Sequence, residues 1–362
     1  MDRTHLELPP AAAVTTLVDL LRARALATPD RRAYAFLADG ETESGALSWA
    51  ELDARARAIG SALADRGARG ERVLLLFPPG LDFVAAFFGC LYAGAVAVPS
   101  YPPRPHRDQP RLRAIVRDAR PGFALTTADL AGRREALASR VPELAGALWL
   151  AVEEIDPRGA ERWSAPEIEG ETPAFLQYTS GSTALPKGVV VTHGNILHNE
   201  EMIRAAFGQS EASVVVGWLP LYHDMGLIGN VLQPLYAGST CVLMPPLAFL
   251  QRPVRWLRAI HRYRGTTSGG PNFAYELCVR KVGAEERAAL DLSSWTLAFN
   301  GAEPVRAHTL EAFAEAFAPC GFRASSFYPC YGLAEATPFV TGGAPRVEEG
   351  RVSSGHVWDA QR

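Results

Sequence analysis

Lysine is nearly missing from this chain. Of its 36 basic side chains, only Lys187 and Lys281 are lysines, and the rest are arginines. Long apolar runs are missing too: none reaches the roughly 18 residues that would mark a membrane-spanning helix. The five cysteines (Cys90, Cys241, Cys278, Cys320, Cys330) form no C-x-x-C pair. They read as reduced core thiols of a cytoplasmic protein. The start, Met1-Asp2-Arg3, lacks the basic stretch and apolar core of a secretory signal. A net charge of −3 gives no global pull toward nucleic acid or an anionic membrane. No internal repeat or low-complexity tract is present.

What remains is an ordinary globular composition, 48% hydrophobic and 21% charged. A chain of 362 residues can build two α/β lobes. The apolar pattern alternates short strands with helices. Strands are expected at Ala33–Leu37, Val73–Phe77, Val96–Val98, Phe123–Thr126 and Ala147–Val152. The helices among them include Leu81–Tyr92, Leu112–Arg120 and Ala128–Ala138, and one opening on a capping box, Ser48-Trp49-Ala50-Glu51, and ending near Gly67. Residues 153–172 have no period and read as a connector between lobes. A second series follows: the helix Asn195–Phe207, strands at Ser213–Val216 and Thr240–Leu243, a helix over Met225–Leu235, then Val254–Tyr263, Asn272–Val282, the strand Thr296–Phe299, the helix Val305–Ala318 and the strand Phe322–Phe327. This alternation implies an α/β fold of two helix-covered, mainly parallel sheets: a first lobe over 1–152, a second over 173–343, and the beginning of a further part at 344–362. Ligands in such sheets sit beyond the carboxyl ends of strands.

One stretch concentrates the chemistry. Tyr178-Thr179-Ser180-Gly181-Ser182-Thr183-Ala184-Leu185-Pro186-Lys187-Gly188 lies between the apolar runs Ala174–Tyr178 and Val189–Val191. Hydroxyls and backbone N–H groups can face phosphate oxygens, glycines tolerate positive φ, and Lys187 adds a compact charge. That is the equipment of an ATP-polyphosphate loop, although not in the order G-x-x-x-x-G-K-[ST]. The competing reading is a solvated Ser/Gly loop.

Three more loops follow apolar strands: Leu219-Pro220-Leu221-Tyr222-His223-Asp224-Met225-Gly226, Asn300-Gly301-Ala302-Glu303-Pro304 and Tyr331-Gly332-Leu333-Ala334-Glu335-Ala336-Thr337. In this order the four resemble the adenylate-forming superfamily of acyl and aminoacyl activating enzymes. Tyr101-Pro102-Pro103-Arg104-Pro105 with Arg111-Leu112, Trp218 to Gly229 (WLPLYHDMGLIG) and Tyr331 to Gly343 (YGLAEATPFVTGG) are most similar to fatty-acyl-AMP ligases. Ala334, where the wider superfamily has Thr, fits that branch. The resemblance runs from about residue 25 to the end.

The resemblance implies ATP and Mg²⁺ as cofactors, a fatty acid as substrate and an acyl carrier protein as acceptor. Thr179, Ser180, Gly181, Ser182, Thr183 and Lys187 would hold the β- and γ-phosphates. Glu335 would hold the metal, and His223 would face the reacting carboxylate and the α-phosphate. Gly301, Ala302 and Glu303 would lie along the adenine, with Tyr331 stacked on it beside Gly332. The plainer readings are a helix-start charge for Glu335, a hydrogen-bonded core residue for His223, a helix cap for Asp224 and core packing for Tyr331. Two departures stand out. Only a short stretch separates Gly343 from Val352-Ser353-Ser354-Gly355, where those ligases carry an inserted segment linked to their refusal of coenzyme A. The superfamily's barrel-like subdomain and small lysine-bearing domain have no counterpart up to Arg362. An acyl-CoA synthetase, or a nucleotide- or lipid-binding module without turnover, are the alternatives.

Overall fold

The computed structural model describes residues 14–101, 109–179 and 186–343, and the backbone of 346–348 and 351–353. It divides into two compact units, Met1–Ala33 with Leu47–His198 and Leu221–Asp224, and Tyr34–Ala46 with Asn199–Pro220 and Met225–Arg362. In chain order the strands are β1 (Arg32–Leu37), β2 (Glu43–Ser48), β3 (Arg72–Leu76), β4 (Val96–Ser100), β5 (Phe123–Thr126), β6 (Leu148–Ala151), β7 (Pro173–Thr179), β8 (Lys187–Thr192), β9 (Val214–Gly217), β10 (Thr240–Leu243), β11 (Thr267–Gly270), β12 (Leu297–Asn300), β13 (Phe327–Gly332) and β14 (Phe339–Gly342).

The first unit holds a six-stranded sheet in the order β6-β5-β3-β4-β7-β8. The strands from β6 to β7 run parallel, and β8 turns back antiparallel on β7. Such strands read as continuous apolar runs because both faces are covered. On one side Leu74, Leu76, Val98 and Ala124 pack under Leu112, Ile115 and Val116 of the helix Pro110–Ala119. The helix Trp49–Ala64 begins with the expected capping box, Ser48 Oγ accepting from Glu51 N and Glu51 accepting from Ser48 N at 2.7 Å. It lies close against the helix Leu81–Tyr92 because Gly60 and Gly89 leave room for Tyr92 and Ile59. Buried Asp53 joins these elements. Its carboxylate accepts from Arg22 (2.9 Å), Arg57 (2.8 Å) and the Tyr92 hydroxyl (2.7 Å), which compensates its desolvation.

The second unit holds an eight-stranded sheet, β14-β13-β12-β11-β9-β10-β1-β2. The run from β1 to β13 is parallel, and β14 is antiparallel to β13. Its core is aromatic: Trp256, Tyr275, Trp295, Phe313, Phe317 and Phe327 cluster in mostly edge-to-face pairs. Two of its buried indoles donate, Trp256 to Ser268 Oγ (2.7 Å) and Trp295 to Leu297 O (2.9 Å). Glu200 is fully buried beside Gln233, and burial pushes its carboxyl well above the usual range.

The expected two-sheet α/β fold is present, with corrections in detail. The lobe boundary at 173 is wrong, since β7 joins the first sheet beside β4 and carries β8 with it. Residues 153–172 do not join lobes either. Trp163 donates to Tyr92 O (2.8 Å) and packs against its ring at a 34° tilt within the first unit. Residues 128–138 break at Gly132 into Ala128–Ala131 and Arg134–Ala138. The helix expected over 225–235 contains a π-helical turn, Ile228–Leu232, just before Pro234, whose nitrogen has no hydrogen to continue the α ladder. The strand expected at 322–327 begins only at Phe327. Phe322 N instead bonds to Phe317 O and closes the helix Ala307–Phe317, while its ring enters the aromatic core. The strand β2 and the helix Pro246–Gln251 were not legible in the pattern.

Candidate functional site

In the first unit, β7 and β8 form a hairpin in which Thr179 stands opposite Lys187. The proposed phosphate loop therefore links an antiparallel pair and is not a turn between a parallel strand and a helix. Ser180, Gly181, Ser182 and Thr183 lie outside the described residues. Lys187 is exposed. Gly188 is needed for space, because a Cβ there would stand 2.8 Å from the ring of Tyr178. That ring is anchored in turn by its hydroxyl, which donates to Asp118 at 2.6 Å.

His223 and Asp224 also belong to this unit. His223 Nδ1 is 2.6 Å from Asp224 Oδ1, and the imidazole is 55% exposed. The hydrogen bond to Asp224 raises the His223 pKa above its ordinary value, against partial burial and the charge of Arg111. The Asp224 carboxylate thus bonds to a side chain, beyond the helix-start role considered for it. Gln177 on β7 donates to Tyr222 O at 3.2 Å and is almost wholly buried, so it holds the backbone just before His223. A single amide in an apolar strand was its only sequence signal.

In the second unit, the loop after β12 places Gly301 inside and Ala302 and Glu303 at the surface. A Cβ on Gly301 would meet Cys330 O at 2.8 Å, so this glycine too is required by close approach. Ala302 adopts φ 68°, a left-handed conformation that only a constrained loop maintains. Tyr331, at the end of β13, is 52% exposed, which removes the core-packing reading for it. Glu335 is exposed on a single turn, Ala334–Ala336, followed by Thr337 at φ 63°. Buried Asn199 ties that turn to β14: its Nδ2 donates to Ala336 O at 3.4 Å and to Phe339 O at 2.9 Å, and its Oδ1 accepts from Phe339 N at 3.3 Å. Burial pushes the Cys330 thiol up to about 12, which disfavours the nucleophilic thiolate.

Among the described residues no group of three or more His, Cys, Asp or Glu side chains could cage a metal. Glu335 offers a surface carboxylate, the kind of oxygen donor a hard divalent cation prefers. Thr179, Lys187 and His223 stand on the first unit. Gly301, Ala302, Glu303, Tyr331, Gly332 and Glu335 stand on the second.

A family model described as AMP-binding enzyme matches residues 21–360. Among curated relatives, the medium-chain-fatty-acid–[acyl-carrier-protein] ligase JamA of Moorena producens is 48% identical over 331 residues, 90% of this chain and 56% of that protein. The 4-hydroxyphenylalkanoate adenylyltransferase of Mycobacterium tuberculosis is 36% identical over 97% of this chain and 58% of its own length. The fatty acyl-adenylate ligase of L. pneumophila, solved with acyl adenylate and pyrophosphate, superposes with a TM-score of 0.87 at 42% identity, covering 97% of this chain and 63% of that one. The chain therefore spans a little over half the length of the curated relatives it matches.

Proposed function

The chain belongs to the AMP-binding enzyme family, and from that premise we propose that the protein activates a fatty acid with ATP. A carboxylate oxygen attacks the α-phosphorus in line, pyrophosphate leaves, and the acyl-adenylate passes to the phosphopantetheine thiol of an acyl carrier protein. The observation that carries this reading is the state of the two motif charges. Lys187 and Glu335 are exposed and make no ion pair among the described residues, although much of the surface charge here is paired.

A carboxylate is a poor nucleophile, so the work lies in alignment and charge neutralisation. Thr179 and Lys187 would bind the β- and γ-phosphates. The His223 imidazolium, sustained by Asp224, would offset negative charge between the attacking carboxylate and the α-phosphate. Tyr331 would cover one face of the adenine. Glu335 would hold Mg²⁺, which when bound spreads the charge of the departing pyrophosphate. The reaction would take place in the cytoplasm.

The test is fatty-acid-dependent ATP–pyrophosphate exchange by the full-length natural protein. Substrates should cover several chain lengths, with 4-hydroxyphenylalkanoates in parallel. Exchange with fatty acids is expected, and no exchange with any acid would leave only a binding module. The short segment after Gly343, where Arg346–Glu348 pairs with Arg351–Ser353, favours coenzyme A as a rival acceptor. Product analysis with coenzyme A against a loaded carrier protein decides between them.

A further inference from the structure

The helix Asn272–Lys281 begins after Pro271, and no side chain caps it at that position. Its first turn is instead served by the loop after β12. Glu303 Oε1 accepts from Phe273 N at 2.6 Å, which places a carboxylate on the positive end of the helix. The other end of the loop is fixed by Asn272. Its Oδ1 accepts from Arg306 N at 3.0 Å and from Asn300 Nδ2 at 3.5 Å, and its Nδ2 donates to Thr309 Oγ1 at 3.1 Å. Asn272, Asn300 and Thr309 are all buried. The loop between these anchors contains Ala302 at φ 68°, a conformation that relaxes unless both ends are held.

We propose that Asn272 and Glu303 are positioning residues for the nucleotide: the first turn of the helix Asn272–Lys281 is a fixed bracket that holds the backbone of residues 300–306 in the shape that receives adenine. This rests on the adenylation reading and refines it. The carboxylate of Glu303 serves the helix, and adenine meets the loop's main chain.

Four variants of the full-length natural protein test it: Glu303→Ala, Glu303→Gln, Asn272→Ala and Asn272→Asp. Gln keeps the acceptor for Phe273 N. Asp keeps the acceptor for Arg306 N, and the Thr309 hydroxyl can turn to donate. Both alanine variants should raise KM for ATP about tenfold, the worth of one charge-assisted or buried hydrogen bond, with KM for the fatty acid little changed. Amide hydrogen exchange at Phe273, Arg306 and the residues between Asn300 and Arg306 should quicken. Gln and Asp should recover most of both effects. The proposal is overturned if Glu303→Ala leaves KM for ATP unchanged, if Glu303→Gln is as impaired as Glu303→Ala, or if both KM values and the melting temperature move together. A wild-type protein without exchange would sink the adenylation reading alone. ATP affinity and amide exchange in the same variants would still decide this one.

Discussion

A histidine buried without charge makes stability depend on pH whatever the protein does. His193 is 1% exposed and accepts from Leu17 N at 3.2 Å. Burial lowers its pKa from 6.5 to about 4. The folded state therefore prefers the neutral ring. Its stabilising effect is full above the unfolded pKa and is lost as pH falls through the interval down to about 4, by about 3 kcal/mol. Urea unfolding of wild type and His193→Gln at about pH 7 and about pH 4 checks this, since only wild type should show that extra loss. His223 has the opposite sign. Asp224 raises its pKa, so the imidazolium persists above the ordinary range and is lost as pH rises. If its charge assists adenylation, kcat/KM falls along that alkaline limb, and Asp224→Asn moves the limb to lower pH. A pH–rate profile that does not move would remove His223 from the chemistry. His223 stood out in the sequence as a residue, but the opposite shifts of the two histidines did not, because each shift depends on burial and on the partner beside it. Gln177, Asn199 and Asn272 were not legible at all. Each bonds to the backbone of a loop distant in sequence, and no local pattern records that.

Among the elements, those with a local cause were read correctly. The capping box of Ser48 and Glu51 acts over three residues, and the parallel strands are plain apolar runs. Gly188, in the loop whose glycines were read for conformational freedom, provides space instead, and so do the glycines of the other motif loops, Gly226, Gly301 and Gly332. Gly226 and Gly332 are equally tight, as a Cβ there would meet Pro220 O and Pro338 O, each at 2.1 Å. Gly226→Ala should cost about 2 kcal/mol in urea unfolding as the loop is forced apart. Gly229, in the same motif, has nothing within 4 Å of its would-be Cβ, so Gly229→Ala should be tolerated. Equal effects at the two positions would show that the close approach at Gly226 does not govern the loop. The π-helical turn Ile228–Leu232, which contains Gly229, was hidden because its cause, Pro234, acts on a hydrogen bond one turn earlier.

For the whole molecule, the relatives carry a large part of their length outside the match to this chain. If the adenylation reading is right, residues 1–362 on their own should exchange pyrophosphate at least about a hundredfold more slowly than a relative of full length, the usual cost of removing even one transition-state contact. Exchange by residues 1–362 at the relative's rate would show that these residues suffice. No helix among the described residues is long and apolar enough to cross a membrane.

The sequence by itself determined the alternation of strand and helix, the family and the four loops that carry polar chemistry. These follow from side-chain period and from residue types at short spacing, both local properties of the chain. Only the tertiary structure decided that β7 and β8 complete the first sheet, since strand pairing is chosen by partners far away in sequence. It also decided that Glu303 reaches a helix start, because a carboxylate's hydrogen bond depends on which backbone amide the fold brings beside it.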